Sequence, residues 1–412
     1  MSAPAPRKIK EEAAFAAIRQ KAALGRYLVK GGGVERRLPG FADLVFVPRP
    51  LSPPVFPAQV NTRVRLGGRY SARPLDLAMP IMIAAMSFGA LSKPAKVALA
   101  QGSALAGTAT NTGEGGMLPE ERAAAKWLIY QCLPGRYGWN IRDMLKADGL
   151  ELLISQGAKP GLGGHLMAEK ITPEIAAMRG LPPGIDLRSP SRHPDILGAD
   201  DLVIKIQEFR EAVDGQIPVS LKLALGRIRD DIRIAANVEA DFVQLDGMQG
   251  ATGAAPEISI ENIGIPTMAG LAGARQALTE IGWQDRIDLT VMGGIRDGAD
   301  IAKALALGAK AVNLGMGVLM ALGCTGCRQC YTGRCPQGIA TQNPELTAKL
   351  DIAAGAQRVC NYLTALNQEV REITAALGKT DIAELGRRDL AALTPDASAM
   401  TGLPLAGSAR VF

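Results

Sequence analysis

Only two histidines, His165 and His193, occur among 412 residues, so histidine is not the expected catalytic base. Aromatic residues make up 4% of the chain against 47 glycines, which points away from a β-sandwich and towards alanine-rich helices with many turns, an α/β composition. No uninterrupted apolar run approaches the roughly 18 residues of a membrane-spanning helix. The opening residues, Met1-Ser-Ala-Pro-Ala-Pro-Arg-Lys8, lack the apolar stretch of a signal peptide. A cytoplasmic protein without membrane contact is the expectation. No GxGxxG dinucleotide fingerprint is evident. The net charge of +6 is spread along the chain, and no nucleic-acid motif accompanies it. Anionic substrates or acidic partner subunits account for it equally well, and nucleic acid is not an expected partner.

What is present is enough apolar residue, 47%, to bury one large domain with extensions, or two. From Lys8 to Lys30 the pattern is helix-like until Gly31-Gly-Gly33 interrupts it, and an irregular, proline-rich arm follows. From Pro80 short apolar runs recur, each ending in small or polar residues. They are Pro80–Phe88, Gly107–Glu114, Leu152–Ala158, Val219–Ala224, Phe242–Gly247, Ile265–Gly270, Leu289–Gly294 and Val312–Gly317. Eight buried strands separated by helical segments predict a (β/α)8 TIM barrel rather than an open doubly wound sheet. The predicted division is an arm over 1–79, a barrel over 80–320 and a C-terminal helical extension over 321–412. The extension carries a cysteine loop and ends in an irregular tail from about Thr394. A long insertion, roughly Lys159 to Pro218, is expected between the third and fourth strands, on the catalytic face.

Two glycine signals, Met292-Gly-Gly-Ile-Arg296 and Gly315-Met-Gly317, fall after the seventh and eighth strands. Barrel enzymes bind phosphate there, because glycines let backbone N–H groups approach its oxygens. Gly323-Cys-Thr-Gly-Cys-Arg-Gln-Cys-Tyr-Thr-Gly-Arg-Cys-Pro336 spaces Cys324, Cys327, Cys330 and Cys335 as C-x2-C-x2-C-x4-C before a proline. Such crowding suits an iron–sulfur cluster better than a structural zinc, whose ligands come as two separated knuckles. Lys222 stands alone in an apolar strand, where a cation is costly unless it faces a functional cavity or reaches water at the strand end. Asp246 ends another strand as a site residue or a helix cap. Glu114, set between glycines, can donate a proton or orient an imino group. Lys159 and Arg188 are candidate anchors for substrate carboxylates.

Several ordered segments resemble the FMN-binding synthase portion of the glutamate synthases. They are Ala85-Met-Ser-Phe-Gly-Ala-Leu-Ser92, Asn111-Thr-Gly-Glu-Gly-Gly116, Gln156-Gly-Ala-Lys-Pro-Gly161, Thr172-Pro-Glu-Ile175, Pro182-Pro-Gly-Ile-Asp186, Ser220–Leu223 and Cys330–Gln342. The resemblance covers roughly Pro80 to Leu350. It implies FMN in the barrel beside a [3Fe–4S] cluster, together reducing 2-iminoglutarate, made from 2-oxoglutarate and ammonia, to L-glutamate. Carried over by position, Ala85, Met86, Ser87, Asn111, Gln156 and Asp246 belong to the flavin site. Lys222 sits near the flavin N1 edge, and Gly293, Gly294, Gly315 and Gly317 hold its phosphate. Glu114 and Lys159 face substrate, and Cys324, Cys330 and Cys335 match the three cluster ligands. Cys327 is additional to that spacing and leaves a [4Fe–4S] cluster open.

The loop Gln249-Gly-Ala-Thr-Gly-Ala-Ala-Pro256 also departs from the family pattern. No glutaminase domain or glycine-repeat β-helix accompanies the barrel, so glutaminase-like and β-helix subunits of a hetero-oligomer, and an electron-donor protein, are the partners implied. The three-subunit N-methylglutamate synthases, which join methylamine to glutamate, show the same split arrangement and form the runner-up. A non-catalytic flavin and iron–sulfur electron-transfer subunit is the alternative of another class.

Overall fold

The computed structural model describes residues 6–408. At its centre lie β1 (Ile81–Ile83), β2 (Ala109–Asn111), β3 (Trp127–Cys132), β4 (Gly149–Leu153), β5 (Val219–Ala224), β6 (Phe242–Asp246), β7 (Asp288–Met292) and β8 (Ala311–Leu314). They pair in the order β1-β8-β7-β6-β5-β4-β3-β2, every ladder parallel. Between β1 and β2 the ring is completed by single bonds. The Ala78 N–H donates to the Gly107 carbonyl at 3.0 Å, and the Thr108 hydroxyl donates to the Ile81 carbonyl. The helices α1 (Lys93–Leu105), α2 (Pro119–Ala124), α3 (Ile141–Met144), α4 (Ala199–Ala212), α5 (Ile228–Asn237), α6 (Thr267–Glu280), α7 (Gly298–Ala306) and α8 (Met316–Leu322) follow the strands in turn. This is the predicted (β/α)8 barrel.

Two strand expectations exchange places. Trp127–Cys132 is the third strand, and Ile265–Gly270 is the entrance to α6, with Pro266 at φ −58°, ψ 141° before the first helical turn. A short apolar run does not by itself separate strand from helix. Met268-Ala-Gly-Leu-Ala-Gly-Ala274 contains no β-branched residue, whereas Trp127-Leu-Ile-Tyr has the aromatic and branched character of a strand. The long insertion therefore lies between the fourth and fifth strands. Outside the barrel, the N-terminal helix stops at Leu24, short of Lys30, and Val29–Gly32 is a strand. The tail from Thr394 is not wholly irregular: the Thr394 side chain caps a helix, Pro395–Thr401.

Period-two alternation is present in the barrel, with the polar side inward. Glu151 on β4 accepts hydrogen bonds from Asn111 on β2 and Gln244 on β6, each two strands away. Contacts that skip a strand can form only across the concave interior. Gln131, Ser220, Thr290 and Asn313 join this polar layer. The alternate residues, such as Leu152, Leu221, Val243, Leu245 and Val291, are buried in the hydrophobic core. A TIM barrel usually fills its interior with Val, Ile and Leu; this one places hydrogen-bonding side chains there.

The chain outside the barrel closes its surfaces. A hairpin, Val64–Leu66 with Leu75–Leu77, covers the amino ends of the strands, where a Cβ on Gly67 would meet Pro218 at 2.8 Å. The long helix α9 (Ile352–Ala376) packs on α1, α7 and α8. It approaches α1 so closely that a Cβ on Gly102 would lie 2.7 Å from the Val359 side chain. Val29–Gly32 pairs antiparallel with Thr252–Pro256, which brings the N-terminal arm to the catalytic face. Among the described residues, no helix is long and apolar enough to cross a membrane.

Candidate active site

At the carboxyl ends of the strands lies a cavity of about 440 Å³, the position at which barrel enzymes keep their chemistry. Ala85, Met86 and Ser87 enter it from the turn after β1, Gln156 and Lys159 from the turn after β4, and Lys222 and Asp246 from β5 and β6. Gly293 and Gly294 follow β7 at φ 106° and 75°, left-handed values that a side chain would resist. A Cβ on Gly293 would fall 2.9 Å from the Gly250 nitrogen, so only glycine lets these two loops meet. Gly315 and Gly317, after the neighbouring β8, line it too.

The turn after β1 is fixed from behind. Lys96 on α1 donates to the carbonyls of Met86 at 2.5 Å, Asn111 at 3.0 Å and Thr112 at 3.0 Å, and pairs with Glu121 at 2.8 Å. Lysine and glutamate are 2% and 1% exposed. One buried ion pair thus holds both the β1 turn and the β2 turn that carries Glu114.

Lys222 lies 3.3 Å from Asp246 with both side chains buried. Burial pulls the lysine pKa down, but Asp246 and Glu151 pull it up more strongly and the net direction is upward, so Lys222 stays charged. Lys159 moves the other way. Burial lowers its pKa, Glu114 offsets part of this, and Lys222 adds to the lowering. The Glu114 carboxylate accepts from the Ser189 hydroxyl. A Cβ on Gly164 would overlap its Oε2 at 1.9 Å, so the insertion lies directly over the carboxylate. The insertion packs Leu166, Ile171, Ile175 and Leu187 against Phe88 and Leu118 in a small core of their own, and its hairpin pairs His165–Leu166 with Leu187–Arg188.

In the cysteine loop, Cys330 lines the cavity, Cys335 is buried, Cys324 is half-buried and Cys327 is exposed. Burial raises the Cys330 thiol pKa, and Cys324, Cys335 and Cys327 each raise it further against the pull of Lys170, so these thiols lie within electrostatic reach of one another. Among the described residues, no three His, Cys, Asp or Glu side chains are gathered as a metal cage. Lys170 joins the loop to the β1 turn, donating to the Ala90 carbonyl at 2.7 Å and the Cys330 carbonyl at 3.1 Å. Its pKa is pulled to about 8 by burial, against the opposing influence of Cys330 and Cys335.

Most residues singled out in the sequence meet in this cavity. Asn111 does not line it: its Oδ1 accepts from the Gly113 N–H at 2.9 Å and its Nδ2 donates to Glu151 at 3.2 Å. Cys324, Cys327 and Cys335 do not line it either. His165 reaches the cavity, and burial lowers its pKa. His193 instead places Nε2 2.8 Å from the Leu153 carbonyl, and Arg188 is exposed at the hairpin. The buried guanidinium that does line the cavity is Arg179, which donates to the carbonyls of Phe88 at 2.7 Å and Glu114 at 3.0 Å. At the end of a helix it resembled an ordinary last-turn charge. Gln131 was hidden with its strand, and Glu151 lay one residue before the expected start of another. A lone carboxylate in Gly149-Leu-Glu-Leu-Leu153 was the available signal for it.

Residues 59–380 match the conserved region of glutamate synthase. A glutamate synthase large subunit-like protein of Rhizobium meliloti is 45% identical over 96% of this chain and 93% of its own length. The archaeal glutamate synthase (NADPH) of Methanocaldococcus jannaschii is 43% identical over 76% of this chain, a match spanning 62% of that relative. Among solved structures, flavocytochrome b2 superposes with a TM-score of 0.57 at 18% identity, covering 89% of this chain and 79% of its own. A mandelate oxidase does so with 0.53 at 20%, covering 85% and 88%. At that identity the structures show a shared fold.

Proposed function

The chain belongs to the glutamate synthase family, and on that premise we propose that it is an FMN- and iron–sulfur-dependent oxidoreductase subunit reducing 2-iminoglutarate, made from 2-oxoglutarate and ammonia, to L-glutamate. The observation that carries this reading is that Cys330 of the cysteine loop lines the same cavity as Lys222 and the two glycine turns. That neighbourhood supports a thiolate-bound metal centre beside a phosphate-bearing ligand.

The cavity volume lies within the roughly 300–1,000 Å³ range of small-molecule sites, and its donor set fits FMN. Gly293, Gly294, Gly315 and Gly317 would take the phosphate, Ala85, Met86, Ser87, Gln156 and Asp246 the ring, and Lys222 the N1 edge. Asn111 supports the site through Glu151. Cys324, Cys330 and Cys335 would hold a [3Fe–4S] cluster, with Cys327 the fourth thiolate should the cluster be [4Fe–4S]. When bound, FMN would supply two-electron reduction and the cluster would supply one-electron relay from a donor protein. The chain's own groups bind and orient. Lys159 holds a substrate carboxylate in a buried setting where charge-assisted hydrogen bonds are strong. Glu114 holds the proton of the imino nitrogen. Lys222 keeps a positive charge where reduction adds a negative one, and the insertion excludes water. Ammonia is delivered by glutaminase-like and β-helix subunits in a hetero-oligomer.

Mass-spectrometric product analysis tests this. The protein, purified with its partners, is offered ammonia, glutamine or methylamine with 2-oxoglutarate or glutamate. Glutamate from 2-oxoglutarate with ammonia or glutamine is the expected product. N-methylglutamate from methylamine would move the assignment to the N-methylglutamate synthases. Cofactor reduction with no amino-acid product from any pair would leave an electron-transfer subunit.

A further inference from the structure

Glu151 is 1% exposed at the middle of β4, far from water. Its Oε1 accepts from Gln131 Nε2 at 2.5 Å, and its Oε2 from Asn111 Nδ2 at 3.2 Å and from Gln244 Nε2. Burial raises its pKa against the opposing pull of Lys222 and of the Gln131 and Gln244 amides, and among the described residues its hydrogen-bond partners are all N–H donors, the set that serves an ionised carboxylate. The three amides belong to β2, β3 and β6, so one carboxylate ties four of the eight strands together across the interior. Burying a charge is costly, and a layer built wholly of apolar side chains of similar volume would pack here at less cost. Packing alone gives no reason for an acid at this position.

Electrostatics supplies one. Lys222 is 3% exposed, lies on the neighbouring strand and feels both Asp246 and Glu151. One lysine against two carboxylates leaves the layer with a net charge of −1 when all three are ionised. We propose that Glu151 is a positioning residue for the reduction, setting from beneath how much positive charge Lys222 presents to the flavin and which end of the Gln131 amide faces it. With Nε2 of Gln131 committed to Glu151, Oε1 is the atom left for the cavity, where it can accept an N–H from a bound ring. The inference rests on the FMN reading above.

Titration of holoprotein with sulfite, together with the flavin midpoint potential, tests the idea, because sulfite adds to oxidised flavin at N5 and its adduct is stabilised by positive charge near N1. In Glu151→Gln, which keeps the shape and removes the negative charge while Asp246 at 3.3 Å still holds Lys222 charged, sulfite should bind about tenfold more tightly. The potential should rise by ~30 mV, the two-electron equivalent of that factor. Gln244→Leu is the second variant. Gln244 does not line the cavity, and its donation to Glu151 holds that carboxyl's pKa down, so its loss favours the neutral acid and should shift both readouts in the same direction by a smaller factor. If either variant, folded and flavin-loaded, keeps wild-type sulfite affinity and potential, the inference is overturned while the FMN reading stands. Wild-type protein that takes up no FMN would remove both.

Discussion

At the scale of single residues, the two buried lysines of the cavity carry opposite instructions. Lys159 has a lowered pKa, principally through burial, so it is charged at low pH and loses its charge as pH rises through a value below the ordinary 10.5. Its hold on a substrate carboxylate is therefore complete below that value and lost above it. The KM for 2-oxoglutarate should climb on the alkaline side earlier than an ordinary lysine would permit. Lys159→Arg, which keeps its charge, should move that limb to higher pH, and a pH–KM profile decides it. Lys159→Ala should raise KM on the order of ten- to a hundredfold, the loss of a charge-assisted hydrogen bond worth about 1.5–3 kcal/mol. Lys222 is held charged by Asp246 and Glu151, so Lys222→Met should lower the flavin midpoint potential by roughly 30 mV or more, about a tenfold change for a two-electron couple. Spectroelectrochemistry measures it, and an unchanged or raised value would contradict the N1-edge role. Lys222 was legible because a cation in an apolar strand is anomalous; Arg179 was not, because nothing local distinguishes a buried arginine from a solvated one at a helix end.

At the scale of elements, the Lys96–Glu121 pair determines where the two substrate-side turns sit. Removing one partner leaves the other charge buried, so Lys96→Met should cost about 3–5 kcal/mol, read as a fall in the denaturant midpoint. Lys96→Met with Glu121→Leu should recover most of that stability, since a packed apolar pair is a fair replacement. If the double variant is no more stable than the single one, the cost lies in the three carbonyls that Lys96 holds. The same scale shows why strand assignment slipped. The run around Ile265 and the run around Trp127 are both short and apolar, and only their branched and aromatic content separates them. The strands were expected to lack polar alternation, and the inward set Ser220, Lys222, Gln244 and Asp246 identifies the inside only once the ring closes.

At the scale of the whole molecule, the arm, barrel and C-terminal extension converge on one face. The Val29–Gly32 strand lies against the cysteine loop, where a Cβ on Gly31 would sit 3.1 Å from Cys330 Cβ, and Arg328 at φ 57° pairs with Glu35 from the arm. Cys335→Ser should abolish iron and acid-labile sulfide in purified protein, and with them amino-acid formation, while FMN content stays near wild type. Metal analysis beside flavin quantification checks this. Full turnover without iron would end the cluster assignment. By itself the sequence determined the barrel class, the glycine turns after the last two strands, the cysteine loop and the likeness to glutamate synthases, because these depend on local spacing and on residue types with few alternative uses. Only the tertiary structure decided that Cys330 alone of its loop faces the cavity, that Arg188 does not reach it, and that a carboxylate sits beneath Lys222. Those facts depend on which strands become neighbours across a closed ring, and separation along the chain carries no record of that.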